Sequence, residues 1–123
     1  MLTYSPTAYS RALRAWHLSP FQLALFRLLQ ERGVALGSIQ GSQGFQAGYT
    51  VRPLAERQAE DELMWLIQVG VLRREVDGQG ITDSYRLAPL GRQILESVSA
   101  DSQEGRGSFQ DWIRDRLTRW GLT

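Results

Sequence analysis

The sequence predicts a small α+β domain, mostly helical, with one two-stranded hairpin and a C-terminal amphipathic helix. Three observations lead to this prediction. Residues 71–76 and 81–87 read as short strands around the turn-forming residues 77–80. The segments on either side of that hairpin carry apolar residues at helical spacing. The length of 123 residues suits one domain, residues 1–123, with one core.

Composition favours a folded cytoplasmic protein. The apolar content of 42% is ordinary for a globular chain, and no apolar run approaches the roughly 20 residues of a membrane span. The N-terminus lacks the features of a signal peptide, and the absence of cysteine excludes disulfides. The net charge is +1, with all 14 positive residues being arginine. Residues 1–55 carry a charge of +4, whereas residues 56–62 carry −3.

Two helices are predicted in the first third of the chain. Residues 8–16 have apolar and arginine positions on different sides of a helix. A second helix is predicted to start at Ser19 and Pro20, a capping residue followed by proline, and to end at Gly33. The core is expected to span about residues 19–98.

The middle of the chain is predicted as a loop followed by one long helix. Residues 33–50 contain five glycines and are read as a mobile connection, with a short strand considered for residues 34–39. The glycine spacing matches neither a dinucleotide fingerprint nor a P-loop. Residues 53–69 contain no internal glycine or proline, so one continuous helix is favoured over a helix–turn–helix pair.

The hairpin has a predicted register. Treating Gly78 and Gln79 as a two-residue loop, with glycine at the first central position, sets the cross-strand neighbours. One face should then be largely apolar and buried on helices, while the other face is mostly polar. The predicted pairs on the apolar face are Val76 with Ile81, Arg74 with Asp83, and Leu72 with Tyr85. After Leu87 a new helix is predicted, with Pro89 in its first turn.

Residues 66–95 resemble the end of winged-helix regulators of the MarR and PadR type. A helix ends in a Leu66-x-x-x-Gly70 step, and the basic strand residues Arg73 and Arg74 follow. A turn and the start of another helix, introduced by Tyr85-Arg86-Leu87, complete the pattern. The resemblance covers about a quarter of the chain and implies a winged-helix fold. The whole chain also resembles a small family of uncharacterised cyanobacterial proteins.

The winged-helix resemblance implies a DNA-binding, transcriptional-regulator-like function. Its expected DNA contacts are weak ones through the hairpin, the wing of the fold, with arginines meeting phosphates. An alternative is a winged-helix module that has lost DNA binding and acts as a protein-interaction or assembly factor, because residues 56–62 would repel a phosphate backbone. The candidate DNA-binding residues are Arg73, Arg74, Arg86 and Arg92.

The last part of the chain is predicted as a linker and a helix. Residues 99–108 are polar, and residues 109–121 carry an apolar stripe at helical spacing. That stripe is expected to cover the domain's own core, with a protein partner or homodimer seam as alternatives. Mixed charges argue against a membrane surface. The stripe consists of Phe109, Trp112, Ile113, Leu117 and Trp120.

Catalysis, metal binding and cofactors are not expected. The chain has one histidine, no cysteine and no lysine, and His17 sits at a helix junction. The consecutive acidic residues 60–62 point in different directions on a helix, so they cannot converge on one ion. No nucleophile motif occurs.

Overall fold

The computed structural model describes residues 4–103, which form a small mixed α+β domain with six helices and one three-stranded antiparallel sheet. The α+β class predicted from the sequence is confirmed. In chain order the elements are α1 (Pro6–Leu18), α2 (Leu23–Glu31), β1 (Val34–Ala35), α3 (Leu36–Ile39), α4 (Gly41–Gln46), α5 (Glu56–Gln68), β2 (Leu72–Asp77), β3 (Gly80–Leu87) and α6 (Pro89–Gln103).

Helix α1 begins at Pro6, after the capping residue Ser5, and ends at Leu18, before the capping residue Ser19. The Ser5 hydroxyl accepts a hydrogen bond from the Ala8 backbone N–H at 3.1 Å, and Pro6 occupies the first turn, where its missing N–H costs nothing. The Ser19 hydroxyl donates to the Trp16 carbonyl at 2.8 Å. The predicted start of the second helix at Ser19 and Pro20 is therefore wrong, because these residues connect α1 to α2, which begins at Leu23.

The glycine-rich segment is helical rather than a loop. Residues 36–46 form α3 and α4, and only Val34 and Ala35 of the considered strand are extended. Gly44 is buried, and a Cβ there would overlap the Ile39 carbonyl. Glycine at this position therefore permits close packing of two short helices, which the sequence analysis mistook for chain flexibility.

The predicted hairpin is confirmed, and its tip pairs as expected. Val76 lies opposite Ile81. The closing pair is Asp77 with Gly80, and the Asp77 carboxylate accepts from the Gln79 N–H at 2.7 Å. The positive φ that the turn requires belongs to Gly80, at 118°, and not to Gly78.

The register changes below the tip of the hairpin. Residues 82–84 of β3 stand against the single residue Glu75 of β2, whose carbonyl accepts from the Thr82 hydroxyl at 2.8 Å. Arg74 therefore pairs with Tyr85 instead of Asp83, and Leu72 pairs with Leu87 instead of Tyr85. The irregularity corrects two of the three predicted pairs.

Strand β1 completes the sheet on the far side of β3. Val34 pairs with Tyr85, and Ala35 pairs with Ser84, which gives the strand order β1-β3-β2. Tyr85 is thus held in the central strand of the sheet, and only 1% of it is exposed.

The core reaches further towards the N-terminus than the predicted residues 19–98. Trp16 of α1 stacks on Phe26 of α2, with 3.7 Å between ring centroids, and both rings are buried. Helix α6 begins at Pro89 as predicted and continues to Gln103, so residues 99–103 are helix and not linker. The predicted helix at residues 109–121 lies outside the described residues.

Candidate functional site

The three arginines of the hairpin lie on two faces. Arg73 and Arg86 are cross-strand neighbours, whereas Arg74 is opposite Tyr85. Successive residues of a strand point to opposite faces, so Arg73 and Arg74 cannot present one continuous basic surface. Each arginine also has different neighbours.

Arg86 holds the base of the hairpin against the end of α2. Its Nη2 donates to the Gln30 carbonyl at 3.2 Å, and its Nε lies 3.8 Å from Oε2 of Glu75. The Glu75 carboxylate in turn lies over Gly33, in space that a Cβ would fill. A cationic donor at the last carbonyls of a helix is favourable for the helix dipole. Arg86 is therefore largely committed to structure.

Arg74 covers the ring of Tyr85. Its guanidinium carbon lies 5.1 Å from the ring centroid, within cation–π distance. Burial raises the pKa of the Tyr85 hydroxyl above its usual value, while the positive charge of Arg74 acts in the opposite direction. Arg74 is only partly exposed, so its charge is shared between solvent and the tyrosine.

Arg73 and Arg92 are the two exposed members of the predicted DNA-binding set. Arg73 makes one long contact, from Nη1 to the carbonyl of Arg74 at 3.4 Å. Among residues 4–100, whose side chains the structure describes, the one ion pair closer than 4 Å joins Arg86 to Glu75, so neither Arg73 nor Arg92 is neutralised there. Of the four predicted arginines, Arg74 and Arg86 are held by contacts within the domain, whereas Arg73 and Arg92 are exposed and available to bind a partner.

The apolar hairpin tip is more exposed than predicted. Val76 is 62% exposed and Ile81 is 73% exposed, although they were expected at the buried end of the inner face. The base of the same hairpin is buried, with Leu72 at 2% and Leu87 at 0%. The helices that bury the base therefore leave the last cross-strand pair in solvent.

Helix α5 presents an acidic outward face with two large apolar residues. Its buried side consists of Ala59, Leu63 and Leu66. Trp65 is 48% exposed and Met64 is 37% exposed. The acidic residues of this helix could be identified from the sequence, but the exposure of Trp65 could not. The charged residues of α5 are Glu56, Arg57, Glu60, Asp61 and Glu62, of which Glu62 is partly buried and the others are exposed.

A groove of about 400 Å³ runs between α1 and α5. Arg11 and Arg14 of α1 line one side, and Glu62 and Trp65 of α5 line the other. Leu18, which is 57% exposed, lies at the end of α1. The i,i+3 spacing of the two arginines was visible in the sequence. The groove could not be predicted, because it forms only where α5 lies beside α1.

Within residues 4–103 no cluster of three or more histidine, aspartate or glutamate side chains is placed to hold a metal ion. None of the helices in this part of the chain combines the length and hydropathy needed to cross a bilayer.

The fold and these surfaces define a small α+β domain whose distinctive features are a projecting hairpin and an acidic helix face. The model of the Npun_F0494-like family matches residues 2–119, and the chain belongs to that family. The expected resemblance of the whole chain to one small family is thereby confirmed. Comparison with curated proteins gives no match, and comparison with solved structures gives none either.

Proposed function

We propose that this protein is a winged-helix domain that acts by binding another protein through the outward face of α5. The order of elements supports the winged-helix part of the proposal. Helix α2 and strand β1 are followed by the short helices α3 and α4, then α5, and then the hairpin of β2 and β3. In this arrangement α5 takes the place of the helix that reads DNA in a helix-turn-helix, and the hairpin is the wing.

The observation that carries the protein-binding part is the composition of the outward face of α5. Four acidic residues and one arginine give residues 56–62 a charge of −3, which opposes approach to a phosphate backbone. Exposed Trp65 and Met64 belong to the residue types that are enriched in protein interfaces. A helix with this surface is better suited to a protein than to a major groove.

Photo-crosslinking in the native cell tests this function. A photoreactive residue at Gln68, which is exposed at the end of α5, should give a discrete protein adduct. The same residue at Glu96, exposed on α6, serves as the control position and should give none. An adduct at Gln68 that nuclease digestion removes would overturn the proposal in favour of nucleic acid.

DNA binding through the wing is the second candidate. It is favoured by the exposure of Arg73 and Arg92, which have no carboxylate within ion-pair distance among the described residues. Binding of this kind is non-specific and dominated by counterion release. The acidic residues of α5 should weaken it by opposing close approach of that helix.

Fluorescence anisotropy at several salt concentrations tests the DNA candidate. With Arg73 and Arg92 on phosphates, log affinity should fall against log salt with a slope of about −2. Replacing Arg73 and Arg92 with alanine should reduce the slope by about one for each lost contact. Neutralising Glu56, Glu60, Asp61 and Glu62 should strengthen binding. An unchanged slope in the double variant, or no binding at low salt, would eliminate this candidate.

A further inference from the structure

We infer that the groove between α1 and α5 is a dimer interface, and that the protein it binds is a second copy of this chain. The inference rests on the proposed function and names the partner of the same helix face. The two copies are related by a two-fold axis that runs along the groove. Helix α1 of each copy then lies over α5 of the other.

The first support is charge that is not paired within one copy. Arg11 and Arg14 on α1 are exposed, and Glu62 on α5 is partly exposed. None of these three side chains forms an ion pair within 4 Å among residues 4–100. The groove therefore carries two positive charges on one wall and one negative charge on the other, with no opposite charges in contact.

The second support is that this arrangement complements itself. A two-fold axis parallel to the groove exchanges its two walls and preserves position along its length. Arg14 and Glu62 line opposite walls of the same groove, and the proposed dimer places Arg14 of one copy opposite Glu62 of the other. The same operation produces that contact twice. A groove with charges of the same sign on both walls would instead place like charges opposite each other and repel its own copy.

The third support is the apolar surface that the two-fold contact would cover. Trp65 of one copy would meet Leu18 of the other, and both residues are about half exposed in the single chain. Helices α1 and α5 each have 13 residues, which corresponds to a length of about 20 Å. Two such helices side by side provide a small interface, so a dimer of modest affinity is expected.

Charge exchange between two variants tests the dimer directly. Arg14→Glu and Glu62→Arg should each weaken the dimer of the full-length protein by about tenfold or more, because each puts like charges opposite each other twice. An equimolar mixture of the two variants should dimerise again, since both contacts of the mixed dimer join opposite charges. Sedimentation equilibrium measures the dissociation constants. Glu96→Arg, the same charge change at an exposed site on α6, should leave dimerisation unchanged.

Recovery on mixing separates charge repulsion across the groove from a loss of folding. A misfolded variant would not recover on mixing, and circular dichroism checks folding independently. A wild-type protein that stays monomeric at all concentrations overturns the dimer. If the wild-type protein dimerises but the single variants do not weaken the dimer, the contact lies elsewhere, for example on the stripe within residues 109–120. The same conclusion follows if mixing the two variants does not restore dimerisation. In either case the proposed protein binding still stands if Gln68 crosslinks to another protein.

Discussion

The base and the tip of the hairpin belong to the same two strands but have opposite environments. At the base, Leu72 and Leu87 are buried as a cross-strand pair, and Tyr85 is buried beside them. At the tip, Val76 and Ile81 also pair across the strands, yet each is more than 60% exposed. Strand pairing alone therefore does not bury a side chain. Contact with the helices does, and those contacts end at the irregularity around Glu75.

This difference gives the base a structural role that the tip lacks. The base is held by α2 through Arg86 and by Ala88, the residue before α6, whose N–H donates to the Val71 carbonyl at 2.9 Å. The tip has no comparable contact among the described residues and offers exposed apolar and charged groups. We therefore expect substitutions at the base to change stability, and substitutions at the tip to leave it nearly unchanged.

A large effect is expected for Gly91→Ala at the base. A Cβ at Gly91 would overlap the Val71 carbonyl, which is fixed by its hydrogen bond from Ala88. Helix α6 would have to move away from the sheet, at a cost on the order of 3 kcal/mol in the free energy of unfolding. Urea denaturation measures this cost.

The matched control is Gly37→Ala, in α3, where a Cβ meets no atom within 4 Å. That change should be neutral or slightly stabilising, because alanine restricts the unfolded chain. Equal effects of the two substitutions would contradict the close contact between α6 and the start of β2.

A smaller effect is expected for Arg86→Ala. The substitution removes the hydrogen bond to the Gln30 carbonyl and the neighbour of Glu75, and should cost about 1 kcal/mol. Arg73→Ala, on the opposite strand, removes an equal charge from an exposed position and should cost less than about 0.5 kcal/mol. Urea titrations of both variants decide the point, and a larger loss for Arg73→Ala would reverse the assigned roles.

The buried Tyr85 should make stability depend on alkaline pH. Its folded-state pKa lies above the unfolded value of about 10, so the folded state holds the proton more tightly. Its contribution to stability is complete below about pH 10 and is lost as pH rises through the folded-state pKa. Tyr85→Phe should remove this part of the alkaline loss, with a cost of less than about 1 kcal/mol at neutral pH. Identical alkaline profiles for the two proteins would contradict the burial of the hydroxyl.

The smallest effect on stability is expected at the tip. Val76→Thr and Ile81→Thr should each change the free energy of unfolding by less than about 0.5 kcal/mol, because both side chains are exposed in the folded and the unfolded chain. Leu87→Ala at the base is the comparison and should cost about 2–5 kcal/mol. A loss above about 1 kcal/mol per tip residue would show that another part of the chain covers the tip.

Much of the hairpin could be predicted from the sequence, because alternation and turn residues are local signals. Its register below the tip could not be predicted, because the Thr82 hydroxyl donates to the Glu75 carbonyl in place of the usual main-chain N–H. Helices α3 and α4 were missed for a related reason. Gly44 is required by the proximity of the Ile39 carbonyl, and that proximity exists only in the folded chain.

The candidate surfaces were predicted less completely than the fold. The acidic character of residues 56–62 could be read directly from the sequence, and a single helix there was correctly expected. The exposure of Trp65 could not be predicted, because residues 63–67 are all apolar and helical spacing alone does not say which of them α1 covers. The groove beside it depends on tertiary position in the same way.

The position of β1 also has a consequence for the order of folding. Strands β2 and β3 are joined by a two-residue turn, and a contact of that kind forms in roughly 1–10 μs. Strand β1 has only two residues and pairs with Tyr85 and Ser84, roughly fifty positions later in the chain. Closing so long a loop for so few hydrogen bonds is entropically unfavourable until its partner strand exists. The hairpin of β2 and β3 therefore forms first, and β1, the first strand in the sequence, is the last to join the sheet.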